Sequence, residues 1–275
     1  MDSSPLLRWI GGKTKTINKL AEYVPPSFER YWEPFLGGAS MFFYLKPQIS
    51  TISDSNKDLI NFYQIVQKFP VELSKEIELH KKKNSPEYYY HIRDDFNNGA
   101  EPLVQAGRFI YLNRACFNGI YRVNKFGKFN VPYGQKEKPN LPTFEKIKHF
   151  SLLLKSSTIK CGFFDSIIEL GDVYPKDFFY FDPPYPPLNG TSNFTHYTSE
   201  KFNFNDQMKV AVLANELDYK GCRVLISNAD TIEIRDLYKN WKVVTLPVKR
   251  WVSANGKRQC VNELVIFNYD KREDL

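Results

Sequence analysis

The chain has 275 residues, of which 42% are hydrophobic and 16% aromatic, and 38 Lys and Arg against 31 Asp and Glu give a net charge of +7. That length fits one large domain, or one domain carrying an insertion, with a core that needs neither disulfide nor structural metal. The four dispersed cysteines (Cys116, Cys161, Cys222, Cys260) form no CxxC pair, the first residues form no leader, and no run reaches the ~18 apolar residues of a membrane helix, so zinc, secretion and membrane insertion are not expected and a reducing cytoplasm is.

In chain order, Arg8-Trp9-Ile10-Gly11-Gly12-Lys13 reads as a turn with a cation. Tyr31 to Leu36 reads as a strand, Gly37-Gly38 as a turn and Ala39 to Leu45 as the start of a helix. Ser50 to Ser53 predicts a second strand closed by Asp54, and Leu59 to Val66 has helical spacing. Leu-, Glu- and Lys-rich helical stretches and then a basic, aromatic loop follow, with no β alternation. Strand patterns return at Phe178–Phe181, Arg223–Ser227, Lys242–Val248 and Glu263–Phe267, the last two reading as a hairpin turned through Ser253 to Lys257. The two ends together predict one α/β sheet domain (1–55 and 151–275) and the middle a helical insertion (56–150).

The excess charge is local. Residues 56–150 hold 16 basic and 10 acidic side chains, whereas the rest of the chain is nearly balanced. Within residues 108–138, Arg108, Arg114, Arg122, Lys125, Lys128, Lys136 and Lys138 interleave with Phe109, Tyr111, Phe117, Tyr121, Phe126, Phe129 and Tyr133. Cations meet phosphates and rings stack on bases, so the pattern fits nucleic acid. It fits a solvated basic loop over a small aromatic core equally well.

Two constellations carry chemistry. Glu33-Pro34-Phe35-Leu36-Gly37-Gly38 is followed by Asp54, 17 residues beyond Gly37. In a strand–turn–helix unit such glycines let a cofactor approach the backbone, and an acid ending the next strand can accept from ribose hydroxyls; an ordinary tight turn has the same signature. Second, Asp182-Pro183-Pro184-Tyr185 directly follows four aromatic strand residues. Prolines remove backbone donors and fix φ, so the Asp182 carboxylate and the Pro183 carbonyl become rigid acceptors at the carboxyl edge of a sheet. The lone pair of a base's exocyclic amino group is delocalised into its ring. Two acceptors gripping its hydrogens localise that lone pair on nitrogen, while the Tyr185 ring offers a stacking surface.

Trp9-Ile10-Gly11-Gly12-Lys13, Glu33 to Gly38, Asn113-Arg114 with Phe117-Asn118-Gly119-Ile120-Tyr121-Arg122 and Phe129 to Gly134, Asp182-Pro183-Pro184-Tyr185 and Ser227-Asn228 together resemble, in order, the Dam-type (D12 class) DNA adenine-N6 methyltransferases. The resemblance spans nearly the whole chain. It implies a Rossmann-like S-adenosylmethionine-dependent fold, a mixed seven-stranded α/β sheet ending in a β-hairpin, with an inserted helical target-recognition domain. It also implies methyl transfer from S-adenosylmethionine to N6 of a flipped adenine in double-stranded DNA, in GATC by the likeness of the loop, leaving S-adenosylhomocysteine and needing no metal. Trp9, Lys13, Glu33, Phe35, Gly37, Asp54, Asp165 and Asp182 would line the cofactor pocket, and Asp182, Pro183, Pro184 and Tyr185 would hold the target amino group. Arg8, Phe117, Asn118, Ile120, Arg122, Asn124, Pro132 and Tyr133 would face DNA, and Asn193, Phe194 and Tyr197 would close over the extruded base. Ala39 stands where the family often has a third glycine; a methyl fits there if the residue has helical φ and ψ. The expected partners are DNA and, genetically rather than physically, a restriction endonuclease; the protein is expected to be a cytoplasmic monomer. Cytosine-N4 methylation, RNA methylation and a DNA-binding protein without catalysis remain as alternatives.

Overall fold

The structure is a computed structural model that describes residues 5–168, 172–186, 202–251 and 258–270. The expected turn at Ser253 to Lys257 and the residues Asn193, Phe194 and Tyr197 lie outside the described residues. After a first short helix, α1 (Ile17–Ala21), come β1 (Tyr31–Glu33), α2 (Ser40–Leu45) and β2 (Ser50–Asp54). Five helices follow: α3 (Lys57–Lys68), α4 (Pro70–Lys83), α5 (Pro86–Asn98), α6 (Pro102–Ala115) and α7 (Phe144–Leu154). The chain then forms β3 (Ser157–Cys161), α8 (Phe164–Ile167), β4 (Phe178–Phe181), α9 (Phe204–Tyr219), β5 (Arg223–Ala229), α10 (Ile232–Leu237), β6 (Lys242–Trp251) and β7 (Arg258–Phe267).

The strands form one seven-stranded sheet in the order β3-β2-β1-β4-β5-β7-β6. The first five run parallel, whereas β7 is antiparallel to both neighbours, which makes β6 and β7 the expected hairpin. Strand residues alternate between two apolar cores, one on each face. Tyr31, Phe178 and Tyr180 enter one with residues of α1 to α7, and Trp32, Phe179 and Phe181 enter the other with residues of α8 to α10. Because β4 is covered on both sides, it can be aromatic throughout.

Two local expectations change. The first strand stops at Glu33 because Pro34 has no N–H to continue the ladder. Ala39 is buried with φ 56° and ψ 34°, which is left-handed rather than helical. Its methyl is therefore not neutral: an L side chain costs about 1 kcal/mol or more in that region.

Three successive helices, α4, α5 and α6, begin with proline at the first position, where its missing N–H has no helical partner to lose. Helix α6 is buried from Ala106 to Ala115 except at Arg108 and packs against α3, α4 and α5. The core is continuous from these helices to the sheet, since Phe62, Phe109 and Phe150 share it with Ile52 and Phe178. Among the described residues no helix is long and apolar enough to cross a membrane.

The candidate active site

Strand order reverses between the adjacent strands β1 and β4, from which the chain progresses outward in opposite directions. Crevices for ligands open beyond the carboxyl ends of strands at such a point. Here those ends deliver Glu33-Pro34-Phe35 and Asp182-Pro183-Pro184-Tyr185, so topology alone brings the two constellations together.

Asp182 stands at the centre of a dense set of donors. Lys13 Nζ lies 2.6 and 2.7 Å from its two carboxylate oxygens, and Ser227 Oγ donates to Oδ1 at 2.7 Å. Ser227 spends its one proton there, so the contact of 2.9 Å between Tyr180 and Ser227 must be a donation by the tyrosine. The lysine is 5% exposed and the aspartate 18%, so this is a largely desolvated ion pair. Lys13 Nζ also donates to the Gly11 carbonyl at 3.1 Å and lies 4.7 Å from the Tyr185 ring centroid. Tyr185 is anchored at its far end, where its hydroxyl donates to Glu263 of β7 at 3.1 Å.

The glycine turn lies beside this centre. Gly37 has φ +47°, its N–H donates to Asp54 Oδ2 at 3.0 Å, and its carbonyl accepts from the Tyr63 hydroxyl at 3.3 Å. Trp9 covers it so closely that a Cβ on Gly37 would stand 2.9 Å from the indole ring. Asp54 Oδ1 accepts from the Asn56 N–H, and burial pushes the Asp54 carboxyl above the usual range. Phe35 packs against Phe164 and Phe181, and Asp165 is exposed on α8, just past the Gly162 N–H that bonds the Asp54 carbonyl.

Glu33 is buried, and its Oε2 accepts from the Tyr31 hydroxyl at 2.8 Å and the Phe42 N–H at 3.1 Å. Burial pushes its carboxyl up to about 8, with Asp182 and Asp54 adding repulsion and the two donors opposing the rise. A carboxyl raised on folding contributes stability that is fully present below its unfolded value and is lost as pH rises through its folded value. Glu33→Gln keeps an acceptor for both donors and cannot ionise. Its melting temperature relative to wild type is therefore expected to rise between pH 5 and pH 8.5; an unchanged difference would show that Glu33 does not titrate in this way.

Most of the remaining predicted residues lie on the segment after α6. Phe117 and Asn118 are exposed, with Asn118 at φ +53°, while Ile120 is half-buried and Pro132 exposed. The carbonyl of Pro132 accepts from the Phe117 N–H at 2.9 Å. Exposed Arg122 is held by Asn130, whose Oδ1 accepts from Nε at 2.9 Å. Two residues turn inward instead. Asn124 Oδ1 accepts from the N–H groups of Phe126 and Lys128, closing a turn, and Tyr133 is buried with its hydroxyl donating to the Lys136 carbonyl.

A short N-terminal thread joins this segment to the active site. The Asn113 side chain clamps the Arg8 backbone on both sides, at 2.9 and 2.8 Å. The Arg8 side chain fills the space over Gly119, Trp9 stacks on Tyr121 at 5.5 Å, and Lys13 reaches Asp182. The motif at residues 8–13, which reads in sequence as a bare turn, therefore touches the loop, the glycine turn and the acceptor.

Sequence reasoning does not single out Gln207 or Glu263 as site residues. Glu263, a buried acid in an apolar strand, carries a usable signal; Gln207, one polar residue among many in α9, carries none.

Residues 9–254 match the family model for D12 class N6 adenine-specific DNA methyltransferase. The chain is 37% identical to Type II methyltransferase M.MjaIII of Methanocaldococcus jannaschii, over 98% of this chain and all of that protein. It is 35% identical to the DNA adenine methylase of Escherichia coli K12, over 94% of this chain and 93% of that one. It is 34% identical to the DNA N-6-adenine-methyltransferase of Escherichia phage P1, over 91% of this chain and 33% of that protein. Among solved structures, the C-terminal domain of precorrin-6Y C5,15-methyltransferase from Rhodobacter capsulatus overlaps 98% of this chain and 99% of that one at 10% identity and a TM-score of 0.39, a likeness too loose to bear on fold or chemistry. With the family model spanning β1 to β6, the intervening helices and the Asp182 turn, the chain belongs to the D12 class N6 adenine-specific DNA methyltransferases, enzymes that use S-adenosylmethionine.

Proposed function

We propose that the protein methylates N6 of an adenine flipped out of double-stranded DNA, within GATC, with residues 56–150 supplying target recognition. The observation that carries this reading is the surroundings of Asp182. Its carboxylate already faces a nitrogen bearing hydrogens, the Lys13 ammonium, beside the ring of Tyr185. A target amino group needs the same acceptor and the same flat surface, so we assign Asp182 and the Pro183 carbonyl to its hydrogens and Tyr185 to its ring. Extrusion costs a few kcal/mol, which phosphate contacts from the basic segment and stacking on Tyr185 offset.

The residues present fit S-adenosylmethionine. Gly37 gives a bare backbone against Trp9 where a Cβ would not fit, and each Asp54 oxygen accepts one backbone N–H with lone-pair capacity left for ribose hydroxyls. Trp9, Lys13, Glu33, Phe35, Gly37, Asp54 and Asp165 are the residues we assign to it. When bound, S-adenosylmethionine supplies an electrophilic methyl group. The chain supplies position: Asp182 orients the nucleophilic nitrogen, and Ser227, held by Tyr180, orients Asp182.

On the DNA side we assign base or backbone contacts to Arg8, Phe117, Asn118, Ile120, Arg122 and Pro132, and the shaping of their loop to Asn124 and Tyr133. Arg122→Ala is expected to lower discrimination against a single wrong base pair by about 10- to 100-fold, with non-specific DNA binding within about twofold of wild type. A uniform loss across all sequences in a competition assay would make Arg122 a phosphate contact. We place the enzyme in the cytoplasm, as a monomer, with its DNA.

The test is to incubate the protein with S-adenosylmethionine and unmethylated genomic DNA and to map modified bases by single-molecule sequencing. N6-methyladenine confined to GATC is the expected result. N6-methyladenine in another motif would overturn the site assignment, and N4-methylcytosine the base assignment.

A further inference from the structure

The turn that grips the target has an unusual mechanical problem. Pro183 and Pro184 have no N–H, so two consecutive residues of Asp182-Pro183-Pro184-Tyr185 cannot be tied down by backbone donation of their own. Whatever fixes the peptide planes must come from elsewhere. In the structure the Gln207 Nε2 of α9 donates to the Pro184 carbonyl at 2.8 Å. Gln207 is 2% exposed, and its own Oε1 accepts from Asn228 Nδ2 at 2.9 Å. Asn228, fully buried at the end of β5, is oriented in turn because its Oδ1 accepts from the Ala229 N–H at 2.8 Å.

The direction of every amide in this relay is therefore determined. The Ala229 N–H forces the Asn228 NH₂ toward Gln207, and that forces the Gln207 NH₂ toward the Pro184 carbonyl. The relay runs from β5 through α9 to the turn after β4. The Pro184 carbonyl belongs to the peptide that leads into Tyr185, whose hydroxyl is held by Glu263 at 3.1 Å. One plane of the turn is thus set by Gln207 and the far end of its ring by Glu263.

We propose that Gln207 is a positioning residue for methyl transfer: by holding the Pro184–Tyr185 peptide, it sets the Tyr185 ring and the Pro183 carbonyl at the angle the target amino group requires. It touches neither base nor cofactor in this role. The inference rests on the reading of Asp182 to Tyr185 as the amino-group site.

The experiment uses Gln207→Met, which fills the same space without hydrogen bonds, and Gln207→Glu, which retains an acceptor for Asn228 and regains a donor for Pro184 only when protonated. Expected for Gln207→Met is kcat lowered by about 10- to 100-fold, because the Pro184 carbonyl loses its buried donor while Asn228 loses its acceptor. KM for DNA and for S-adenosylmethionine should stay within about threefold of wild type, since uniform binding is untouched. The deficit should be as large on a duplex in which the target adenine faces an abasic site, because eased extrusion does not restore the angle of the turn. Gln207→Glu should gain activity relative to wild type as pH is lowered. The ionisable side chains around the turn, Asp182, Lys13, Tyr185 and Glu263, are present in both proteins, so that difference belongs to position 207.

A wild-type kcat for Gln207→Met, a deficit that disappears on the abasic duplex, or the same pH profile for Gln207→Glu and wild type would each overturn the proposal. Failure of the underlying reading is separate: it would show as an active Asp182→Asn enzyme, whereas failure of the Gln207 inference leaves Asp182→Asn inactive.

Discussion

Asp182→Asn is expected to lower single-turnover methyl transfer by at least about 100- to 1,000-fold, the range for removing one oriented polar group from a reacting centre. The substitution conserves shape and leaves one acceptor oxygen, but it replaces the other with an NH₂ that donates. A donor facing the hydrogens of the target amino group repels what it should hold. DNA affinity, which we assign largely to the basic segment, should be nearly unchanged, so the loss falls on kcat.

The same substitution has a second consequence, because it deprives a buried ammonium of its counter-charge. Lys13 and Asp182 are 5% and 18% exposed, and removing one member of a buried pair typically costs about 3–5 kcal/mol. Asp182→Asn should therefore melt several degrees below wild type. Adding Lys13→Met to it should recover the melting temperature and none of the activity. Recovery of both would mean that Asp182 acts only as the partner of Lys13, and substantial activity in the single variant would remove its assigned role.

The ion pair also shows where legibility from sequence ends. The two constellations can be read because each is local: four aromatics followed by prolines mark a buried strand exit, and a strand, glycines and a later acid mark a βαβ unit. Contact between Lys13 and Asp182 joins residues 169 apart, and no periodicity reports it. Strand β3 is illegible for a related reason. It is an edge strand, five residues long and polar at several positions, so its pattern of burial is not the apolar run of a central strand. The backbone of Ala39 differs from expectation because helical spacing locates a helix but says nothing of the φ of the residue that caps it. Gln207 is invisible because a buried amide and an exposed one look alike in a helix, and only its two partners on other elements distinguish it.

Gly37→Ala should weaken S-adenosylmethionine binding by about 100-fold, or about 2.8 kcal/mol at 1.4 kcal/mol per tenfold. Two effects arise, and only the second reaches binding. A residue with a Cβ at φ +47° loses about 1 kcal/mol or more of stability, in the free and the bound protein alike. The new methyl would also stand 2.9 Å from Cδ1 of Trp9 and 3.1 Å from its Nε1, so the indole or the turn must move. The turn is pinned by Asp54 at the N–H and by Tyr63 at the carbonyl, and the indole is backed by Tyr121. Relief in either direction disturbs a surface assigned to the cofactor. Gly127→Ala separates the two effects, since Gly127 has φ +73° and a Cβ there would meet nothing within 4 Å, leaving the conformational cost alone. In calorimetric titration Gly127→Ala should bind S-adenosylmethionine as wild type does. If Gly37→Ala also binds normally, Trp9 and the glycine turn are a structural contact, and the cofactor must be held elsewhere along the sheet edge.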